Sequence, residues 1–335
     1  MPKLSSSGLL QPAAALLLLA FSSCAAPPPA VPTDNAPLLR LTGAQLGSPP
    51  VVIAYGDQRF TDPSEVNATN PKVRKWLVDR IAAEKPAAVL ISGDIVWHGG
   101  EAHDYAVFAA ETEPWRTAAI TVLPALGNHE LNGFDKHECL RNWWTAFPQL
   151  RGRRWYAAAL GDRIYVLNVD SNSPLVPGSE QMKWFQGQLD ALSAAVQFVL
   201  VNIHHPAMSD FQVNGDASHN LRPNEAAFAD FLARSSAAQR VRFVVIGGHI
   251  HNYERNQRDG IIYLVSGGGG ASPRPIVRTP DDAFQDNGVN YHYVKFTLLD
   301  DRLDAEMIRV ADPEAATPAW EVKDRFSVLA PTPAK

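Results

Sequence analysis

Cysteine is nearly absent from this 335-residue chain, which has only Cys24 and Cys139. Positive charge is not in excess, because 30 lysines and arginines stand against 35 aspartates and glutamates, a formal net charge of -5. That balance excludes a nucleic-acid binder that works through a broad basic face. No fixed period recurs and no heptad pattern is sustained, which excludes solenoids and long coiled coils. The apolar run from Ala13 to Phe21 is too short to span a bilayer comfortably.

What is present begins with a targeting segment. Lys3 supplies a thin positive region, the apolar run follows, and small residues precede Cys24. Ser22-Ser23-Cys24, followed by alanines and prolines, resembles a bacterial lipobox, with Phe21 where leucine is usual. The resemblance implies that residues 1–23 are a lipoprotein-type signal peptide. The mature protein would then be exported to the bacterial cell envelope and held on a membrane, on the periplasmic side or the surface, by a lipid on Cys24. With Cys24 acylated, Cys139 would have no intrachain partner, and no disulfide framework could form. Residues 24–47, rich in proline and alanine, read as an extended tether. Residues 312–335, with Pro313, Pro318, Pro331 and Pro333, read as a loosely docked tail. One working domain remains, residues 48–311.

Within it one phrase repeats. VVIAY leads to Gly56-Asp57, AAVLIS to Gly93-Asp94, and TVLPAL to Gly127-Asn128. QFVLVNI leads to His204-His205-Pro206, and RFVVIG to Gly248-His249-Ile250-His251. Such unbroken apolar runs suit strands covered on both faces. Helical stretches lie between several of them, and Asn70-Pro71 opens one with a cap residue and a proline at the first helical position. Alternating strands and helices define an α/β fold, in which functional groups gather beyond the carboxyl ends of the strands. The five tips deliver Asp57, Asp94, Asn128, His204 and the pair His249 and His251, the pair facing one way because extended residues i and i+2 do. Oxygen and imidazole donors without thiolate describe a site for divalent transition metals such as Mn, Fe, Co, Ni or Zn. Six donors with one shared carboxylate suffice for two ions.

These motifs, with Gly127-Asn128-His129-Glu130 and Gly248-His249-Ile250-His251 in that order, resemble the five blocks of the calcineurin-like metallophosphoesterases over about residues 50 to 300. The stretch from Gly248 to Arg255 is most similar to the branch containing purple acid phosphatases. The resemblance implies a four-layer α/β/β/α sandwich of two mixed sheets, with the metals at the strand ends. It implies that Asp94 bridges two cations, that Asn128, His204 and His249 complete one site, and that Asp57 and His251 hold the other. His129 would not bind metal; it would sit over the substrate and protonate the leaving alkoxide. The activity implied is hydrolysis of a small phosphomonoester by metal-bound hydroxide. A phosphodiesterase or nucleotide hydrolase is the second reading. A third is a non-catalytic metal-binding lipoprotein with a decayed first site, against which His129 speaks, since a binding module needs no proton donor.

The sequence departs from the family at two points. Where many members have Asp-x-His, this chain has Arg59, and where purple acid phosphatases have a ligating tyrosine it has Trp97. Neither side chain can ligate a metal, so the first site is left with Asp57, Asp94 and His251 and is expected to be the weaker. Three roles stand open for Arg59: a fork on the substrate phosphate, a stand-in for the charge of the first metal, or a partner for Asp57 or a surface carboxylate. Other conspicuous residues read as bland. Gly267 to Gly270 read as a flexible loop, His103, His137 and His219 as solvated, and His292 as a packing residue. Arg255 reads as an ion-pair partner for Glu254 or Asp259.

Overall fold

The computed structural model describes residues 35–212, 219–238, 240–286 and 288–332. The segment expected to be a signal peptide, with the expected lipobox and Cys24, lies outside the described residues. Among the described residues no helix is long and apolar enough to cross a membrane.

In chain order the elements are β1 (Leu39–Leu41), α1 (Gly43–Leu46), β2 (Val51–Tyr55), α2 (Pro71–Glu84), β3 (Ala88–Ile91), α3 (Ala102–Glu111), α4 (Glu113–Thr117), β4 (Thr121–Pro124), α5 (Lys136–Ala146), β5 (Tyr156–Leu160) and β6 (Ile164–Asn168). There follow α6 (Glu180–Asp190), β7 (Phe198–Asn202), β8 (Phe211–Gln212), α7 (Pro223–Ala238), β9 (Arg242–Gly247), β10 (Tyr253–Arg258), β11 (Ile261–Ser266), β12 (Ile276–Val277), β13 (His292–Leu298), β14 (Arg302–Val310) and β15 (Trp320–Leu329). One sheet runs β1-β5-β6-β7-β9-β11-β10 and the other β15-β14-β13-β2-β3-β4, while β8 and β12 form a separate ribbon. Both large sheets are mixed: β6, β7, β9 and β11 are mutually parallel, as are β2, β3 and β4, with antiparallel strands outside them.

The layering follows from the two-residue period of the strands. In the seven-stranded sheet, Ala158, Val166, Leu200, Val244 and Leu264 join the cluster shared with the other sheet. Their chain neighbours Ala157, Leu167, Val201, Val245 and Tyr263 pack instead with Phe185 of α6 and Phe228 of α7. Both faces are covered, which is why these strands read as unbroken apolar runs. On the far side α2 and α4 close the other sheet, joined where Trp115 Nε1 donates to the Val78 carbonyl at 3.0 Å. Asn70 caps α2 as its sequence indicates, accepting from the Val73 N–H at 3.1 Å. The result is the α/β four-layer sandwich. Between the sheets, Asn202 donates to the carbonyls of Ile91 at 3.0 Å and Leu123 at 3.3 Å, pinning β7 to the ends of β3 and β4.

Two sequence boundaries need correcting. The last part of the 24–47 tether is folded, since Leu39–Leu41 pairs in parallel with β5. The 312–335 tail supplies the edge strand β15, which pairs along its length with β14. Its flanking prolines disguised a strand that buries one face only. Asp324 on this strand accepts from Arg255 Nε at 2.6 Å, so the tail holds the arginine expected to pair with Glu254 or Asp259.

His292 packs, as expected. Its Nδ1–H donates to the Asn290 carbonyl at 3.0 Å and Nε2 accepts from Ser266 Oγ at 3.1 Å. Burial pushes its pKa down from 6.5 to about 4. The unfolded chain therefore takes up a proton near pH 6.5 that the folded chain refuses until about pH 4, and stability falls as pH drops through that window. The loss is on the order of 3 kcal/mol. His292→Asn is expected to remove roughly 2–3 kcal/mol of the stability difference between about pH 7 and pH 4.5. Urea midpoints of both proteins at the two pH values check this, and equal acid sensitivity would refute it.

Candidate metal centre

The parallel strands of both sheets end at one place. β2, β3 and β4 deliver Asp57, Asp94 and Asn128, and β7 and β9 deliver His204, His249 and His251 from the facing sheet. Asp57, Arg59, Asp94 and His249 all adopt positive φ, between 51° and 70°. Non-glycine residues pay roughly 1 kcal/mol or more for that conformation, and such strain concentrates at functional sites. The glycines before Asp94 and His249 are required by space, and Gly93 also by its φ of 85°. A Cβ on Gly93 would lie 2.6 Å from His204 Nδ1, and one on Gly248 2.6 Å from Asp57 Oδ2.

Four donor atoms converge. Asn128 Oδ1 lies 2.9 Å from His204 Nε2 and 3.1 Å from His249 Nδ1, and those two nitrogens are 3.3 Å apart. His204 Nε2 is also 3.2 Å from Asp94 Oδ1. Ligands at about 2.0–2.1 Å from one cation are separated by about 2.9–3.4 Å, so these spacings fit a coordination shell. The tautomer fits as well. His204 Nδ1–H donates to the Ser92 carbonyl at 2.8 Å, which leaves the Nε2 lone pair facing Asn128 and Asp94.

The second group is Asp57 and His251. Asp57 Oδ2 accepts from the His249 N–H at 2.8 Å. His251 Nδ1–H donates to the Ser272 carbonyl at 3.3 Å. Asp57 Oδ1 and His251 Nε2 are then both buried without a partner, 3.6 Å apart. Two orphaned buried acceptors side by side are costly unless a cation joins them. Ligand atoms of Asp57, Asp94 and His204 all fall within 4.8 Å of one another. The donor set thus fits metal at both positions, despite Arg59.

Electrostatics separate the two aspartates. Burial opposes ionisation of Asp94, but His204, His129 and Arg59 around it hold its carboxyl far below the usual range. Burial, then the charge of Asp94, push Asp57 well above that range, with Arg59 only partly offsetting them. A metal-free pocket favours a proton on Asp57 that a cation would displace.

Arg59 has settled on Asp94. Its Nη2 donates to Asp94 Oδ2 at 3.4 Å, and its guanidinium lies 4.9 Å from the Trp97 ring centroid. Of the open readings, pairing with Asp57 or a surface carboxylate is not what the geometry shows. Trp97 also stacks on His129, with centroids 4.6 Å apart. The two departures from the family pattern therefore form one unit, an arginine resting on the tryptophan that backs His129. His129 Nδ1–H donates to the Trp97 carbonyl at 2.7 Å, and Nε2 stands 3.7 Å from Asp94 Oδ2. Burial lowers the His129 pKa, with Asp94 opposing that shift.

Several residues fell outside the sequence reading. Glu130 is buried and accepts from the backbone N–H groups of Asp94, Ile95, Val96 and Gly127, tying the loops after β3 and β4 together. A carboxylate directly after the Gly-Asn-His motif was the available signal. His219, read as solvated, lies with its ring 5.0 Å from that of His249 and 6.1 Å from that of His251. Nothing in its polar loop signals this. Gly267 to Gly270 are not a flexible loop but buried packing beneath Asp57. Gly269 N–H donates to the Gly56 carbonyl at 2.9 Å, and a Cβ on Gly267 would meet Asp57 Oδ2 at 2.9 Å. His205 bonds Ser171 through Nδ1 at 2.8 Å, while His98 stands at the surface beside Asp104.

Comparison with known proteins places this centre. The family pattern described as calcineurin-like phosphoesterase matches residues 68–253, more than half of the chain. The chain belongs to that family. It is similar to the purple acid phosphatase PPD1 from yellow lupin (Lupinus luteus) seeds, with 20% identity and a TM-score of 0.67 over 83% of this chain and 53% of that one. It therefore spans about half the length of the lupin protein. It is also similar to PhoD, with 11% identity and a TM-score of 0.59 over 84% of this chain and 70% of that one. A dimetal phosphatase from Danio rerio is 14% identical, with a TM-score of 0.56 over 88% and 99% of the two chains. No curated protein matches the chain.

Proposed function

We propose that this protein hydrolyses small phosphomonoesters with two divalent transition-metal ions. Asp94, Asn128, His204 and His249 would hold one ion, and Asp94, Asp57 and His251 the other. When bound, the ions supply neutralisation of the phosphate charge and acidification of a water. The observation that carries the reading is the convergence of Asn128, His204, His249 and Asp94 at coordination spacing, with His129 Nε2 beside Asp94.

His129 acts as the general acid. Because Nδ1–H is committed to the Trp97 carbonyl, Nε2 is the atom that takes and gives the proton. The charge on Asp94 keeps that proton available. Arg59 adds a fixed positive charge where many relatives have an imidazole. An extra charge contact is worth a factor of about ten or more towards the more highly charged ester. This supports a dianionic monoester over a monoanionic diester. For protein loaded with Mn²⁺ or Zn²⁺, kcat/KM is expected to be at least about tenfold higher on an aryl phosphate monoester than on the matching diester. A preference for the diester would favour the phosphodiesterase reading. No turnover of either ester would leave a metal-binding protein without catalysis.

A further inference from the structure

A second cluster of carboxylates lies away from the metal centre. We propose that Asp210, Glu254 and Asp282 form a site for a hard divalent cation of the calcium class, one that secures edge strand β10 to the loops packed on it. The three come from distant segments: the loop after β7, strand β10, and the loop between β12 and β13. Each offers a ligand oxygen, all within 4.8 Å of one another. That span is about twice a calcium–oxygen distance, so one ion can reach all three. The donors are oxygens alone, which suits calcium rather than the imidazole-seeking metals of the first centre.

The neighbours of the cluster leave two charges unanswered. Asp210 accepts from Thr279 N–H at 2.9 Å and from its hydroxyl at 2.8 Å. Asp282 accepts from the Arg255 and Phe284 N–H groups at 3.1 and 2.9 Å and pairs with Arg278. Glu254 Oε2 accepts from the Asp210 N–H at 2.7 Å, while its Oε1 is buried with no partner. Arg255 is turned to Asp324. Three carboxylates therefore share one guanidinium, and a divalent ion closes the balance. Burying that excess charge unpaired is prohibitive, so without an ion the cluster must retain protons.

A further atom points the same way. Asn256 is two residues along β10 from Glu254 and so stands on the same face. It also bridges Asp282 across the edge of the sheet, and its side-chain Nδ2 is buried with no partner. Oxygen and nitrogen of an amide are interchangeable by a flip, and the flipped amide offers a fourth oxygen where a donor finds nothing to bond. The site would brace the segment that carries Ser272 and Arg274 against His251, and it does not depend on the ester chemistry.

The test uses the full chain saturated with Zn²⁺, with Ca²⁺ then titrated and followed by equilibrium dialysis and thermal unfolding. One calcium per chain is expected, with Tm rising by roughly 5 °C at a hundredfold excess over Kd. Glu254→Gln, which keeps the shape of a protonated carboxyl, should abolish both, and Asp210→Asn serves as the second variant. Absence of bound calcium in the wild-type protein overturns the proposal and leaves Glu254 as a buried acid. Calcium binding that survives in a folded Glu254→Gln protein overturns it equally, since the ion then lies elsewhere.

Discussion

Asp94→Asn is expected to strip the centre of its cations and to lower kcat/KM by at least about a thousandfold. The amide keeps the shape of the carboxylate but loses its charge and one acceptor oxygen. Both oxygens are engaged in the native site. Oδ1 accepts from the His129 N–H at 2.9 Å and faces His204, and Oδ2 faces Arg59 and His129. Removing the negative charge leaves Arg59, His129 and His204 crowded around a neutral group, which further disfavours a bound cation. Metal analysis of the purified variant beside an ester assay checks the result. A variant retaining two equivalents of metal and full turnover would remove Asp94 from the centre.

His129→Ala should behave differently: kcat falls about 10²–10⁴-fold while the metal content stays unchanged. The substitution leaves intact the backbone N–H that orients Asp94, so the ligands keep their places. What disappears is the proton on Nε2 and the ring that stacks on Trp97. The deficit should shrink for esters whose leaving alcohol is acidic, because such groups depart without protonation. A series of aryl phosphates of graded leaving-group pKa measures this. An equal loss across the series would mean that His129 only binds the phosphate.

Much of the centre was legible because its signals are local. An unbroken apolar run followed by glycine and a donor says both that a strand is buried on two faces and that its tip is occupied. Asp57, Asp94, Asn128 and His249 were visible in this way, His204 directly followed its apolar run, His251 lay two residues beyond His249, and the structure brings all six together. The residues that escaped act through distant partners. Glu130 matters for the N–H groups it gathers from two loops, and no spacing in the chain encodes those. His219 enters by the fold of a polar loop without period. Strand β15 was hidden because it is an edge with one exposed face, so its apolar residues are sparse and prolines lie on both sides. The partner of Arg255 was misjudged for the same reason, since Asp324 sits on that unrecognised strand. The convergence was readable, but the supports behind it were not.

Glu130 has one more consequence. By holding the loops after β3 and β4 on a single carboxylate, it makes Asp94 and Asn128 move as one block. The opposing imidazoles ride on the other sheet, joined to that block near the tips through Asn202. An ion of larger radius would then be expected to shift the two blocks relative to each other more readily than to adjust a single loop. Selectivity among metals would thus be a property of how stiffly the two halves are sewn together, by Asn202 behind the tips and by the His204–Ser92 and His249–Asp57 hydrogen bonds at them.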